Sequence, residues 1–398
     1  MNPGVNSEHG ALSYKDAIVC SPHKFIGGPG TVGVLVCKTK LFANEVPSVP
    51  GGGTVAYVTE KTHKYTKDLQ EREEGGTPAI IESIRTGMVF ALKDAITAKR
   101  IMERDDALVQ RAASRWRTCS NLIVLGGLEA HRLPIFSFCI QHPQSKLLLH
   151  HNFVSKLLSD LFGIQSRGGC MCAGPYAEQL MGISEELVLR IGGLVYNEEN
   201  PNDTKGAEIL KPGFCRLNLS YYADDSEIDF IIDAVAMVSE HGWKLLPKYS
   251  FGNTTGGWKH QNEREGTGGP LSLKSIDYKS GSISFKKQSS FSIAPTLDEV
   301  LQSARCIFEN DNNKDFGKII EEETDYSEEW NTIRWFLLPS EAQSFLDGNH
   351  PDSHKMMFMP GTCPMKKPTL SRKISHQVCD CKKEAKPKST SSKLCTIL

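Results

Sequence analysis

Nothing in these 398 residues resembles the run of roughly 18 apolar residues that spans a bilayer, which excludes a membrane-spanning helix by sequence. The opening MNPGVNSEHG lacks both the charged and the apolar region of a secretory signal. Twelve cysteines are too dilute for a small disulfide scaffold, so the expectation is a cytoplasmic chain with free thiols. No excess of charge of one sign exists either: 46 Lys+Arg face 47 Asp+Glu. That balance excludes a generally basic nucleic-acid binder. An apolar fraction of 39% excludes a charge-swollen disordered chain. The charge is unevenly spread, however. From Lys366 onward nine Lys/Arg stand against two Asp/Glu, a net of +7, which leaves −8 for the residues before it.

Short apolar runs at Ala17 to Cys20 and Val32 to Cys37 predict strands, with a Gly/Pro-rich loop between them. A charged, flexible stretch is expected from Glu60 to Gly76. Thr77-Pro78 reads as an N-cap and first helical position. The helix that follows repeats Ile80, Ile81, Ile84, Met88, Ala91, Leu92 and Ala95 at helical spacing, which predicts one buried stripe. A more charged helix should run to about Arg117. NLIVLGG, LPIFSFCIQ and FCRLNLSYY predict strands; HNFVSKLLSDLFGI and the segment after Asp224 predict helices. GNTTGGWKHQNEREGTGGP reads as a linker. Residues 281–361 regain apolar content and should dock on the body, and the basic tail 362–398 should be disordered.

Gly28, Gly30 and Gly33 spell G-x-G-x-x-G, but the motif runs into a strand rather than opening a helix, so the context that a dinucleotide fold requires is absent. Ser21-Pro22-His23-Lys24 on the same loop has other chemistry. A lysine among glycines can act as a Schiff-base amine, while the glycine backbone approaches an anion. The competing reading is a surface lysine beside a hairpin turn. Cys170/Cys172 and Cys379/Cys381 are C-x-C pairs without the partners a zinc site needs, so no metal is expected.

SPHKFIGGPGTVGVLV resembles the lysine loop of the class V aminotransferase and cysteine desulfurase family. GGGTV, GTPAIIESI, R-x-G-x-x-C followed by A-x-P, and a late-strand arginine come in the family's order, over roughly residues 14 to 245. The resemblance implies an aspartate-aminotransferase-like α/β fold (fold type I) and pyridoxal 5'-phosphate. Lys24 would carry the cofactor, and His23 and Ser21 would bind its phosphate. Gly53 and Thr54 would reach the neighbouring subunit's phosphate site, which implies a homodimer. Cys172 would be the thiolate that takes sulfur from cysteine or a related small amino acid; its alternative is a packed thiol. Arg216 would hold the substrate carboxylate, with Arg167 beside it; its alternative is a strand arginine paired to an acid.

The family places several strands before its lysine, and an aspartate on the pyridine nitrogen. Here about one strand precedes Lys24. The sequence therefore reads as a shortened form: 1–98 the end of the large domain, 99–250 a small α/β domain with its linking helix, 251–280 a linker, 281–361 an extension, 362–398 a tail. Two functions follow, a pyridoxal-phosphate transferase or lyase and a catalytically inactive homologue with a regulatory or membrane-tethered role.

The chain ends Cys395-Thr396-Ile397-Leu398, a C-a-a-X pattern that predicts a lipid on Cys395. Lys382, Lys383, Lys386, Lys388 and Lys393 would supply the second, basic membrane signal.

Overall fold

The computed structural model describes residues 15–129, 131–170, 174–196, 206–262, 276–278, 281–285, 295–309, 326–351, 354–361 and 394–397. The chain forms two units: Met1–Met102 with Arg372–Leu398, and Glu103–Ser371.

In the first unit, β1 (Ala17–Cys20) and β2 (Val34–Lys38) pair antiparallel, Ala17 opposite Cys37 and Cys20 opposite Val34. The glycine motif thus ends in an antiparallel strand. The loop between the strands is held by short-range bonds: Lys24 N–H to Ser21 O, Phe25 N–H to Pro22 O and Gly28 N–H to Phe25 O. Gly28 is obligatory, because a Cβ there would stand 2.0 Å from Pro22 O. After β3 (Val55–Val58), β4 (His63–Tyr65) and helix α1 (Leu69–Glu73) occupy the stretch expected to be flexible. The Asp68 carboxylate caps α1 by accepting from the Gln70 and Glu71 N–H groups.

Helix α2 (Ile80–Ile96) begins two residues later than Thr77-Pro78 suggested, on an Ala79 N-cap without a side-chain bond. Its apolar stripe is not buried. Ile80, Ile81, Ile84, Met88 and Leu92 are exposed, Ile81 and Met88 at 67%. The face it does bury carries Thr86 and Val89 and braces the lysine loop. Thr86 Oγ1 accepts from Val32 N–H, Arg85 Nη1 donates to Pro29 O at 2.7 Å, and Phe90 meets Phe25 edge-on. Tying a loop full of unpaired backbone groups outweighs apolar burial on this helix.

The division between the units falls inside helix α3 (Ala98–Trp116). In the second unit, β5 (Leu122–Val124), β6 (Ile135–Ile140), β7 (Arg167–Gly169) and β8 (Phe214–Asn218) form an antiparallel sheet in the order β5-β6-β8-β7. Helices α4 (His151–Phe162), α5 (Gly174–Met181), α6 (Glu185–Val195) and α7 (Asp225–His241) follow the strands. Cys215 of β8 bonds the His151 carbonyl of α4, and Trp116 of α3 donates to Ile232 O of α7 while meeting Phe136 of β6 edge-on. One sheet face is therefore closed by helices. Along the exposed seam of α3 and α7, Arg104 and Arg111 bind Asp225, Arg111 binds Asp229 and Arg115 binds Asp233. Each exposed pair contributes little, but together they set the register of the two helices.

Of the residues read as a linker, Trp258–His260 form β10, which pairs antiparallel with β9 (Tyr249–Phe251) and buries Trp258. β11 (Ile276–Asp277) and β12 (Ser284–Phe285) pair next. The extension contributes α8 (Leu297–Glu309), α9 (Glu328–Ile333) and α10 (Pro339–Leu346). It is core, not appendage. Trp335, Phe336 and Leu337 have no exposed surface, and Leu148 N–H donates to Trp335 O at 3.2 Å while its carbonyl accepts from Leu337 N–H at 2.9 Å. β13 (Leu394–Ile397) pairs antiparallel with the edge of β2, Cys395 opposite Cys37, where a disordered end was expected. An open strand edge is a template for such pairing. Cys20, Cys119, Cys139, Cys170, Cys215 and Cys306 form no disulfide, and among the described residues no helix is long and apolar enough to cross a membrane.

Buried histidines give the second unit a pH signature. His150 Nδ1 accepts from Asn152 N–H and Trp258 Nε1–H, while Nε2 donates to Ile209 O. It is thereby neutral, and burial holds its pKa well below the ordinary value. Burial likewise lowers His151 to about 3 and His142 to about 4. An unfolded histidine protonates near pH ~6.5. Below that, the unfolded chain takes up protons that the folded chain refuses, so stability is full above pH ~6.5 and falls progressively toward pH 4. Urea midpoints should drop between pH 7 and pH 5, before carboxylates titrate; a flat profile over that window would contradict the neutral histidines.

Candidate active site

Lys24 closes a single 3-10 turn, Pro22–Lys24, whose N-cap is Ser21. Pro22 is buried and the His23 and Lys24 side chains are exposed. The loop anchors its backbone and presents its two basic groups to solvent. The turn at Gly51–Thr54 is built differently. Thr54 is fully buried, and its hydroxyl donates to Gly51 O at 2.6 Å while accepting from Gly51 N–H. Its hydroxyl is thus committed to its own turn. Gly52 and Gly53 offer bare backbone: a Cβ at either would meet nothing within 4 Å, and Gly53 has φ +80°. Gly76 N–H donates to Gly52 O and Gly51 packs against Gly75, which fixes the turn.

The second unit brings together two arginines that the sequence leaves far apart. Arg167 on β7 lies directly opposite Arg216 on β8, and Arg216 lies opposite Ser137 on β6. All three share one row on the sheet face turned away from α4. In the next row, Cys139 is covered by α5, its Sγ 3.6 Å from Met181 Sδ. The arginine row thus stands where that cover ends. Arg216 is half-buried and Arg167 exposed, and among the described residues neither has an acidic partner. Like charges directly opposite each other on a sheet repel.

Cys170 precedes α5. Its thiol donates to Pro212 O at 2.7 Å, and burial, with Glu178 adding to it, pushes the pKa up. The nucleophile position Cys172 lies outside the described residues, as do Cys379 and Cys381. Among the described residues no three His, Cys, Asp or Glu side chains form a metal-binding group. The histidine cluster around His150 was missed by sequence reasoning, and nothing short-range in HHNF signals it.

The residues of this lysine loop, glycine turn and arginine strand fall inside one family. The model for aminotransferase class V matches residues 13–230, more than half of the chain, and the chain belongs to that family. This gives it the α/β, fold type I class implied by the motifs. No curated protein sequence matches the chain. Among solved structures, a cysteine desulfurase from Thermococcus onnurineus NA1 is 24% identical, with a TM-score of 0.43 over 56% of this chain and 47% of that one. The Escherichia coli cysteine desulfurase CsdA, in an S-sulfonic acid form, is 20% identical, with a TM-score of 0.42 over 56% and 46%. A C-DES mutant with glycine covalently linked to the PLP cofactor is 18% identical, with a TM-score of 0.35 over 52% and 42%. The chain spans about half the length of these structures.

Proposed function

We propose that the chain is a pyridoxal-phosphate-dependent protein of transferase or lyase type that acts on cysteine or a related amino acid. The observation that carries the reading is the Arg167–Arg216 pair, two arginines each ending in a guanidinium fork, directly opposite in register and without an ion-pair partner among the described residues. A planar carboxylate matches such a fork bidentately. The residues present also fit the cofactor. Lys24 offers an exposed amine on an anchored turn, and the Gly52–Gly53 backbone leaves room for a phosphate. Bound pyridoxal phosphate would supply an electron sink for the amino acid's α-carbon. In this assignment Lys24 Nζ holds the cofactor and moves the α-proton. His23 and Ser21 bind the phosphate, Arg216 and Arg167 orient the substrate carboxylate, and Cys172 accepts sulfur.

Arg216→Lys replaces a fork by a point charge. It should raise KM for cysteine by about tenfold, the effect of losing one charge-assisted bond, with kcat changed far less. An unchanged KM would remove the carboxylate assignment. In the second reading the chain is an inactive homologue, with no sulfide, alanine or pyruvate formed from cysteine at any cofactor concentration.

A homodimer is part of the proposal, supported by the uncovered apolar residues of α2. So is a cytoplasmic site of action, with peripheral membrane attachment through a lipid on Cys395. A tail fused to a fluorescent protein should reach membranes in a eukaryotic cell and become diffuse in Cys395→Ser. Diffuse signal with Cys395 intact would end the lipid assignment.

A further inference from the structure

The second unit holds a cavity of ≈ 420 Å³ that neither Arg167 nor Arg216 lines. That size lies within the range of small-molecule pockets, about 300–1,000 Å³. One wall is apolar: Val188, Ile191 and Val195, one helical stripe of α6. The polar groups are of opposite sign. Glu178 of α5 lines the cavity without an ion-pair partner among the described residues. Lys211 lines it too, 4.7 Å above the Tyr196 ring, with Glu208 2.8 Å from its ammonium. Both Glu208 oxygens stand 2.8 Å from that ammonium, and Glu208 lines the cavity as well, so Lys211 enters it as one half of an ion pair.

A carboxylate without an ion pair among the described residues, a lysine–glutamate pair and an aliphatic wall describe one class of ligand. We infer that this cavity is a second site, for an aliphatic α-amino acid bound as its zwitterion. Its ammonium meets Glu178, its carboxylate meets Lys211, and its branched side chain lies on Val188, Ile191 and Val195. Gly168 and Gly169, next to Arg167 on β7, line the cavity, but neither arginine does, and the ligand binds there without the cofactor.

The probe is L-leucine, titrated calorimetrically into the full chain without added cofactor. Wild type and Arg216→Ala should give the same saturable binding, which separates this site from the proposed substrate site. Glu178→Gln should weaken binding at least about tenfold, the effect of removing a charged hydrogen-bond partner. Gly192 also lines the cavity, and a Cβ there meets nothing within 4 Å. Gly192→Leu should therefore fill the space, abolish binding and leave thermal stability equal or higher, since leucine is the better helix former. No saturable heat in wild type, loss of binding in Arg216→Ala, or wild-type binding in Gly192→Leu or Glu178→Gln would each overturn the inference. None of these outcomes touches the proposed reaction, which is tested by KM for cysteine.

Discussion

Lys24→Ala should abolish both covalent attachment of pyridoxal phosphate and turnover of cysteine. Borohydride treatment of the wild-type chain should fix a pyridoxyl group on Lys24, found by peptide mass spectrometry. The variant should carry no label at any position. Turnover should fall by at least about a thousandfold, the scale of removing a positioned proton-transfer group. The structure makes this loss readable as chemistry. Lys24 is exposed and its loop is held by backbone bonds and by α2, through Thr86 and Arg85. An exposed side chain of this kind contributes within about 0.5 kcal/mol to stability, so the variant should unfold at the wild-type midpoint. Lys24→Arg separates charge from nucleophilicity. It keeps the cation but cannot lose a proton at accessible pH, and it should be as inactive as Lys24→Ala. Label on another lysine, or activity in Lys24→Arg, would reduce Lys24 to a surface cation beside a turn.

Part of this site was legible because its chemistry is local. Ser21-Pro22-His23-Lys24 and the glycines lie within one loop, and β1 forms over the same four residues its apolar run predicts. Helix α7 starts where Asp224 predicts, with Glu227 accepting from the Asp224 N–H at 3.2 Å. What periodicity cannot say is which neighbour covers an apolar face. The spacing of Ile80, Ile84 and Met88 defines a helix correctly, yet the side it buries carries Thr86, because the backbone of the lysine loop needed a partner. Long-range pairing was equally hidden. Arg167 reads as part of a cysteine motif and Arg216 as part of an alternating strand; only the β7–β8 register sets them face to face. GNTTGG reads as a linker from its glycines. The turn is in fact a tight connection that returns Trp258 to His150, where the indole N–H finds its acceptor at 3.1 Å.

Trp335→Ala should be among the most destabilising single changes in the second unit, although the residue lies beyond the stretch matched by the family. The side chain is fully buried. Its ring stacks on His150 and His151, with centroids 5.1 and 5.8 Å away, and meets Phe336 and Phe358. Its Nε1–H donates to Leu210 O at 2.9 Å, and its own carbonyl accepts from Leu148 N–H at 3.2 Å. Truncating a buried tryptophan costs about 3–5 kcal/mol through lost contacts and the cavity left behind. For a unit of this size that is a fall in Tm of roughly 10 °C. The loss should also be visible as opened histidines. With the indole gone, water reaches His150 and His151, and the decline in stability below pH 6.5 should become shallower. Trp335→Phe keeps most of the stacking and removes only the bond to Leu210, so it should cost about 1–3 kcal/mol, the penalty of an orphaned buried carbonyl. That order, wild type above Phe above Ala in denaturant midpoint, is expected if residues 326–361 are an integral layer of the core. A Trp335→Ala protein within about 1 kcal/mol of wild type would show instead that the second unit is complete without them.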